Sequence, residues 1–532
     1  MAWGSTSVRS GIPAVAALGA ILTIGGLLRG LGLRFGDPYV LHPDEWVIAS
    51  HAMTMVATGD WNPHTFAYPS LLIELQAGLV ALMHGSGSGP LDVGQPWLYE
   101  GEFLPEQFAY ILAGRTAVAA MGIGTILVVF ETGRRLVGLA GGLAAAAIIA
   151  MLPLPVEHAH YLTTDVPVAF MCAMCALATV IAVRYMEMRW WILAGLAAGL
   201  AGSTKWNGLL VVGVPLLAYV VARHNRLPSR SIGLERESIV TIGAILAAAA
   251  AGLIVATPAI VLAPTEVAAW LSVLTEFYRF PDTRQTEGTL AFNLGALVTG
   301  FGPLLVWCVV GMAVAVRRAW ADRRMRGALA IPAFIVAYLV VASLPPRHYE
   351  RNLLPIVPYL AISGGIATAW LLGWAGSRRT IANARPRLGA GLVTIALVAC
   401  LIPPALVSAQ VTNAMRQPET RLIARRWLLD HVPERTKIAR EVYTPQFDPS
   451  EFRVEGSYFL FQHTLDDYRA GGVRYLIASS RTFGRFVDMP LYAEESDFYH
   501  GLFALPEVFR VDPGPDRRGP TIRIFRLDPG GG

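Results

Sequence analysis

The side chains best suited to chemistry in this chain lie in short polar stretches that separate long apolar runs. The first stretch, His42-Pro43-Asp44-Glu45, places two adjacent carboxylates shortly after the first apolar run. Paired carboxylates suit metal binding or proton abstraction, and one of them can deprotonate a hydroxyl as a general base. A bare Asp-Glu pair is better explained as a solvated acidic loop, so the assignment depends on the other polar stretches.

A second polar stretch runs from Glu157 to Pro167 and contains Asp165. Asp165 opens an apolar run, where the N-terminus of a helix favours a carboxylate. Capping therefore explains Asp165 by itself. A functional role for this residue depends on whether other reactive side chains lie near it.

Lysine usage draws attention to Lys205. The chain has 43 lysines and arginines, but only Lys205 and Lys437 are lysines. Lys205 lies in the stretch Ser203 to Gly208, a turn between two short apolar runs. A lysine in such a turn can snorkel to the interface, or it can bind a phosphate as a point charge. The scarcity of lysine favours the phosphate role.

The stretch Arg347-His348-Tyr349-Glu350-Arg351-Asn352 places two arginines beside a further pair of apolar runs. Cations at an outer membrane boundary suit an anionic lipid headgroup. A surface pair between Glu350 and Arg351 is the alternative interpretation. Upstream, Phe66 and Tyr68 fit either the aromatic belt of the interface or the wall of a sugar or acceptor pocket.

Histidines accompany these stretches and raise the question of a metal. Together with nearby carboxylates they can supply ligands for a divalent ion such as Mg, Mn or Zn. The candidate ligands are Glu157, His158 and His160. Their spacing matches no tight metal signature, so the sequence leaves metal dependence open.

The apolar runs that must position these residues dominate the composition. The chain is 54% hydrophobic and 15% charged, whereas soluble domains average about 25% charged residues. A membrane span needs roughly 20 apolar residues. About eleven runs approach this length: 12–30, 107–131, 136–152, 165–185, 190–203, 206–222, 238–257, 290–316, 328–343, 353–374 and 388–408. The sequence therefore predicts an all-α polytopic membrane protein.

Charge in the connecting loops predicts the orientation of the spans. Five arginine-bearing loops are predicted to be cytoplasmic by the positive-inside rule: 134–135, 184–189, 223–236, 317–326 and 378–387. The alternate loops, 31–106, 153–164, 258–289 and 344–352, are then outside, so all the polar stretches share the outer face. The run 71–84 is predicted to lie along this outer surface; if it crosses the membrane, the topology downstream inverts.

The segment 409–532 changes character. An amphipathic helix is predicted over Thr420 to Asp430, and strands over 437–442, 473–479 and 521–526. We therefore divide the chain into a transmembrane module, 1–408, and a small soluble α/β domain, 409–532, on the extracytoplasmic side. The first outer loop of the module, 31–106, carries the Asp-Glu pair.

Taken in order, these stretches resemble the polytopic GT-C glycosyltransferases, and most nearly glycosyltransferase family 39. That family includes the protein O-mannosyltransferases and the lipid A aminoarabinose transferases. The matching positions are 42–45, Tyr68-Pro69-Ser70-Leu71, Arg115, 160–167, 195–208 and 350–355. The resemblance covers most of residues 30–370. Ser70 departs from the pattern, since many members have a second proline there.

The resemblance implies the GT-C fold and a sugar donor linked to polyprenyl phosphate, with mannose favoured. Inversion at the anomeric carbon is expected in a single displacement. Asp44 becomes the general base on the acceptor hydroxyl, Glu45 supports it or binds the acceptor, and Asp165 shapes the acceptor or sugar pocket. The residues expected to hold the lipid phosphate, and to stabilise its charge as it leaves, are Lys205, Arg347 and Arg351.

The acceptor or sugar pocket is expected to contain His42, Tyr68, His160, Tyr161, Tyr349 and Glu350. The acceptor itself is left open between a protein, a lipid and a glycan. The expected location is the bacterial cytoplasmic membrane, with the active site facing outward. The formal charge of +5 does not indicate nucleic acid as a partner, because the arginines sit in short loops between spans.

A polytopic transporter or flippase for a lipid-linked or phosphorylated substrate is the main alternative function. Transporters often show inverted repeats and bind substrate near the bilayer midplane. This sequence shows no repeat, and its charged residues gather at one face. A membrane anchor for a functional domain at 409–532 is a third interpretation, but that segment carries no recognisable nucleophile constellation.

Overall fold

The computed structural model describes residues 11–87, 91, 105–224, 236–282, 285, 287–321, 327–377, 386–448 and 450–527. Parts of the predicted outer loop 31–106 and of the arginine-bearing loops 223–236, 317–326 and 378–387 lie outside the described residues.

Long helices make up the N-terminal module. In chain order they are α1 Gly11–Gly30, α2 Pro43–Thr58, α3 Leu71–Gly85, α4 Phe108–Val137, α5 Leu139–Met151, α6 Pro153–His158, α7 Asp165–Tyr185, α8 Met188–Thr204, α9 Gly213–His224, α10 Arg236–Val255, α11 Ala259–Leu262, α12 Pro264–Arg279, α13 Thr289–Phe301, α14 Leu304–Ala321, α15 Ala330–Ala342, α16 Val357–Ser377 and α17 Pro386–Ala414. Short 3-10 helices, Trp206–Val212 and Glu350–Ile356, precede α9 and α16.

The multi-span prediction is confirmed. Within the described part of the chain, eight helices are long and apolar enough to cross a membrane, and four shorter apolar helices accompany them. Most of the predicted runs coincide with helices, although their ends shift by several residues. The predicted single run 290–316 is wrong: it breaks into α13 and α14 at Gly302, which adopts φ 54° and ψ −135°. Pro303 follows and has no N–H to continue the helix.

Glycines allow α8 and α10 to pack in close contact. A Cβ atom on Gly195 would lie 2.4 Å from the carbonyl oxygen of Ile245, and one on Gly199 would lie 2.1 Å from that of Ala249. Small residues four apart let membrane helices approach to backbone contact. The glycines of the stretch 195–208 therefore fix the position of α8, whose last residue directly precedes Lys205.

The C-terminal domain is built on one mixed sheet. Its strands are β1 Lys437–Arg440, β2 Arg453–Gly456, β3 Tyr475–Ser479, β4 Glu507–Val511 and β5 Ile522–Arg526. They lie in the order β2-β1-β3-β5-β4, with β2, β1 and β3 parallel and the other pairs antiparallel. The helices are α18 Thr420–His431, α19 Leu465–Ala470, α20 Ser480–Phe483 and α21 Ala493–Phe503. The predicted helix and three predicted strands are confirmed, with shorter strands than expected.

The C-terminal domain hydrogen-bonds to the backbone just before the Asp-Glu pair. A guanidinium nitrogen of Arg421 donates to the carbonyl oxygen of Leu41 at 2.9 Å, and the amide of Gln446 donates to that of Val40 at 3.1 Å. Both carbonyls belong to the extended segment that leads into α2. The soluble domain therefore helps to set the position of the first polar stretch.

Candidate active site

Asp44 lies in the first turn of α2. His42 caps this helix, since its Nδ1 accepts the backbone N–H of Asp44 at 3.3 Å, and Pro43 occupies the first helical position. The ring of His42 also packs against Tyr161, with 4.4 Å between ring centroids. This local structure fixes the direction of the Asp44 side chain.

The Asp44 carboxylate is held in its charged form. Its Oδ2 lies 3.2 Å from a guanidinium nitrogen of Arg351. Burial raises the pKa of Asp44, but the positive charge of Arg351 outweighs it and leaves the pKa below its ordinary value. No donor among the described residues is aligned to hydrogen-bond Oδ2. Asp44 is therefore an ionised carboxylate whose buried Oδ2 accepts no hydrogen bond from the described residues.

Glu45 takes a different role from its neighbour. Both of its oxygens accept from Arg115, at 2.7 Å each, and one also accepts the backbone N–H of Leu162 at 2.9 Å. Glu45 and Arg115 are fully buried. The sequence interpretation placed Glu45 among the catalytic residues, whereas its bonding in the structure is that of a positioning residue that locks α2 to α4.

We expect Arg115→Met to destabilise the fold by about 3–5 kcal/mol, because it leaves the buried Glu45 carboxylate without its ion partner. Equilibrium unfolding in detergent measures the change. Arg34→Met is the matched control, since Arg34 is largely exposed and pairs with the nearby Asp37. Equal stability of the two variants would contradict a structural role for the Arg115 pair.

Lys205 lies at the centre of a second cluster. Its ammonium group donates to Oδ1 of Asp165 at 2.7 Å and to Oδ1 of Asn352 at 2.9 Å. His158 approaches the other oxygen of Asp165, with 3.8 Å from Nδ1. Asn352 directly follows Arg351 in the chain, so it joins the Lys205 cluster to the Asp44 cluster. Four widely separated polar stretches therefore meet at one site.

Other predicted site residues lie at the edge of this site. Tyr68 is half-buried. Burial raises its pKa well above the ordinary value, and the negative charge of Asp44 raises it further. The Arg351 guanidinium lies 4.8 Å from the centre of the Tyr349 ring. Glu350 is exposed and makes no ion pair with Arg351 among the described contacts, because Arg351 pairs with Asp44 instead.

Arg347 turns away from the two clusters. Its Nε donates to the carbonyl oxygen of Phe280 at 3.1 Å, and its guanidinium stacks 4.0 Å from the centre of the Phe277 ring. The structure thus places Arg347 against the loop after α12, apart from Lys205 and Arg351, which share the site. Its predicted role in binding the donor phosphate has no support from these contacts.

The candidate metal ligands do not converge. Both ring nitrogens of His160 lie within hydrogen-bond distance of backbone carbonyl oxygens, those of Val156 at 2.9 Å and Leu31 at 3.0 Å. Within the described ranges, no group of three or more His, Cys, Asp or Glu side chains is placed to hold a metal ion. The residues present in this region therefore do not fit the divalent site that the sequence left open, and His160 serves to join two backbone segments.

Two participants were not among the predicted site residues. Arg115 matched the resemblance but received no role, and Asn352 was named only as part of its stretch. The sequence signal for Arg115 was available: it is an arginine inside an apolar run, where a charge needs a partner. Asn352 had no such signal, because its role comes from folding next to Lys205.

The pH dependence of stability offers a test of the packing around His42. Burial lowers the pKa of His42 to about 4, against the charges of Asp44 and Glu45, which raise it. The unfolded chain takes up this proton near the ordinary value of 6.5, so stability should fall as the pH drops from 6.5 to 4. We expect a smaller loss in His42→Asn, which keeps a capping side chain. Parallel melting-temperature profiles for the two proteins would contradict this assignment.

Comparisons with known proteins bear on this arrangement. Residues 109–261 match the family model described as dolichyl-phosphate-mannose-protein mannosyltransferase. The apo oligosaccharyltransferase of Archaeoglobus fulgidus is similar in structure, with a TM-score of 0.58 and 12% identity over 92% of this chain and 72% of that chain. ArnT from Cupriavidus metallidurans, bound to undecaprenyl phosphate, has a TM-score of 0.52 and 17% identity over 98% of each chain. No curated protein matches by sequence.

This chain has the GT-C fold. The family match and the fold together indicate a membrane glycosyltransferase. The segment matched by the family model contains Asp165 and Lys205, whereas Asp44 and Arg351 lie outside it. The fold brings the two halves of the site together.

Proposed function

We propose that the protein is an inverting glycosyltransferase that moves a sugar from a polyprenyl-phosphate donor to a hydroxyl acceptor. The active site and the C-terminal domain would face outward from the bacterial cytoplasmic membrane. One observation carries the proposal: an ionised Asp44, whose Oδ2 accepts no hydrogen bond from the described residues, lies beside Arg351, which is joined through Asn352 to Lys205. The proposed base and the two cations that we propose for the donor phosphate thus lie in one connected cluster.

The proposed reaction is a single displacement. Asp44 takes the proton from the acceptor hydroxyl as its oxygen forms a bond to the anomeric carbon. The bond between that carbon and the phosphate oxygen breaks, and its electron pair leaves with polyprenyl phosphate. Lys205 and Arg351 stabilise the charge that develops on this leaving group. Because attack and departure occur on opposite faces, the anomeric configuration inverts.

Lys205 and Arg351 each keep hydrogen-bond donors beyond those used by their carboxylate partners, which supports a role in binding the donor phosphate. Lys205 has a third N–H beyond its bonds to Asp165 and Asn352. Arg351 contacts Asp44 through one nitrogen. Lipid phosphates occur in similar structures, since ArnT was solved with undecaprenyl phosphate and the archaeal oligosaccharyltransferase AglB with dolichol-phosphate and an inhibitory peptide.

Mannose is the donor sugar that we propose, on the strength of the family description that matches residues 109–261. The similar structures include proteins whose names do not specify mannose, so the donor assay should include more than one sugar. We expect polyprenyl-phosphate-mannose to be consumed faster than the corresponding aminoarabinose or arabinofuranose donor. Preference for a pentose donor would replace mannose but keep the reaction.

The test uses purified full-length protein in nanodiscs with polyprenyl-phosphate-mannose and a Ser/Thr-rich peptide. Transfer to the peptide and release of polyprenyl phosphate are measured in the same tubes, and the anomeric configuration of the product is read by NMR. We expect product of inverted configuration. Retention would contradict the single displacement. Movement of intact donor across a sealed vesicle membrane, with no release of polyprenyl phosphate, would instead support a flippase.

A further inference from the structure

The C-terminal domain presents a basic and aromatic surface where its three parallel strands end. Tyr443 follows β1, Tyr458 follows β2, and Arg481 and Arg485 follow β3. Parallel strands that neighbour one another have their carboxyl ends at the same edge of the sheet, and ligands of open α/β sheets bind outside that edge. We refer to these four residues as the roof cluster.

A buried carboxylate holds the loops of the roof cluster in place. Glu441, directly after β1, is fully buried. It accepts the backbone N–H of Ser479 at 2.9 Å and the hydroxyl of Tyr499 at 2.6 Å, and the backbone N–H of Leu460 at 3.4 Å. These bonds tie the ends of β1 and β3 to the segment after β2. The roof cluster is therefore a pre-ordered surface of the domain.

The two arginines of the roof cluster flank a tyrosine. The guanidinium carbons of Arg481 and Arg485 each lie 5.7 Å from the centre of the Tyr443 ring. Arg481 makes no ion pair with any carboxylate that the structure describes. Its side chain is exposed. Desolvation by the surrounding protein lowers the pKa of Arg481, and the positive charge of Arg421 lowers it further. Arg481 is thus a solvent-accessible cation without a carboxylate partner among the described residues.

The edge of the sheet that carries the roof cluster contacts the membrane module just before α2. Burial raises the pKa of Tyr161, and the charges of Glu157, Arg518 and Arg481 act on the same hydroxyl. Tyr161 packs on His42, whose Nδ1 caps the backbone N–H of Asp44. The same edge of the sheet also docks on the segment before α2 through Gln446. An acceptor bound at the roof cluster would therefore lie next to the segment that leads to Asp44.

We propose that the roof cluster binds a phosphate group carried by the sugar acceptor, with Arg481 as its principal contact. This inference rests on the proposed function, because it assigns the acceptor class of that same site. A guanidinium can bind a phosphate through two parallel hydrogen bonds, and Arg481 has no carboxylate among the described residues to compete for it. The donor phosphate has its own cations, Lys205 and Arg351. The flanking tyrosines offer aromatic faces to the sugar ring next to the phosphate.

The test measures binding of glucose 1-phosphate, glucose and inorganic phosphate to the full-length protein in nanodiscs of neutral lipid. Saturating polyprenyl phosphate is present throughout, so that the donor site is filled. We expect glucose 1-phosphate to bind more tightly than either fragment. Arg481→Ala should weaken it about tenfold, the value of one charge-assisted hydrogen bond. Arg481→Lys should retain part of the affinity, since it keeps the charge.

Arg510→Ala is the matched control, because Arg510 is an exposed arginine of the same domain that pairs with Asp512. Equal binding of glucose 1-phosphate to the wild type and Arg481→Ala, or no binding to either, would overturn the proposal. An arm with phosphatidylglycerol nanodiscs separates two phosphate sources. If phosphatidylglycerol competes with glucose 1-phosphate, and this competition is lost in Arg481→Ala, the site binds a phosphate carried by a lipid. If phosphatidylglycerol does not compete, the site binds the phosphate of a soluble phosphosugar.

Donor release by the wild-type protein is recorded in parallel with each acceptor, the Ser/Thr-rich peptide and glucose 1-phosphate. Failure of that release would contradict the proposed transferase activity, while phosphate binding that depends on Arg481 would still establish the site. Release of donor together with binding of glucose 1-phosphate that is indifferent to Arg481 would overturn the acceptor assignment alone. The two proposals therefore fail by different measurements.

Discussion

Replacing Asp44 with asparagine is expected to lower the rate of sugar transfer by about 10²–10⁴-fold, the usual contribution of a positioned general base. The amide has nearly the same shape but cannot take the acceptor proton. Binding of polyprenyl phosphate should persist, because Lys205 and Arg351 remain in place. Initial rates of transfer, with lipid binding measured on the same preparation, provide the comparison.

Asp60→Asn is the control for Asp44→Asn. Asp60 lies just after α2, is exposed, and pairs with His64 at 2.9 Å. Its replacement should leave transfer close to the wild-type rate. Near-normal turnover by a folded Asp44→Asn protein would contradict the assignment of Asp44 as the base.

Lys205→Met is expected to remove donor binding and to destabilise the protein. Lys205 is the ion partner of Asp165, and both side chains are largely buried, with 11% and 3% of their surfaces exposed. Removing one member of a buried pair costs about 3–5 kcal/mol, because the other charge is left unpaired. Lipid binding and equilibrium unfolding measure the two effects separately.

The double variant Lys205→Met/Asp165→Asn separates folding from function. Neutralising both partners should restore most of the stability, since no isolated charge is left buried. Donor binding should stay lost, because the phosphate still lacks its cation. A double variant that recovers both stability and donor turnover would show that Lys205 has only a structural role.

The sequence could predict that the site residues lie on one side of the membrane, because the order of apolar runs and the charge of the loops predict on which side each loop lies. Every second loop of a polytopic protein lies on the same side of the membrane. The loops that carry Asp44, Asp165, Lys205 and Arg351 were therefore expected on one side. Their pairing could not be predicted. Arg351 has Glu350 beside it in sequence, but it bonds Asp44, which lies far from it in the chain and reaches it only through folding.

The division of labour within the Asp-Glu pair also required the structure. Successive residues in a helix point in directions about 100° apart. Asp44 therefore faces Arg351, while Glu45 faces Arg115 in the core. Adjacent carboxylates look equivalent in sequence, and only their partners assign one to chemistry and the other to the fold.

Helices were predictable from apolar length, whereas the edges of the sheet were not. Strands β2 and β4 are edge strands with charged residues, so they lack a continuous apolar signal. The role of the C-terminal domain was missed for a similar reason. Its contacts to the first outer loop use the backbone carbonyls of Val40 and Leu41, which any residue could provide.

Native mass spectrometry of the purified protein with polyprenyl-phosphate-mannose tests the central claim most directly, since it shows both the lipid that is bound and its chemical state. With acceptor added, the wild type should hold polyprenyl phosphate, Asp44→Asn should hold the intact donor, and Lys205→Met should hold neither. Conversion of the donor by Asp44→Asn at the wild-type rate, or intact donor on the wild type after acceptor is added, would contradict the account.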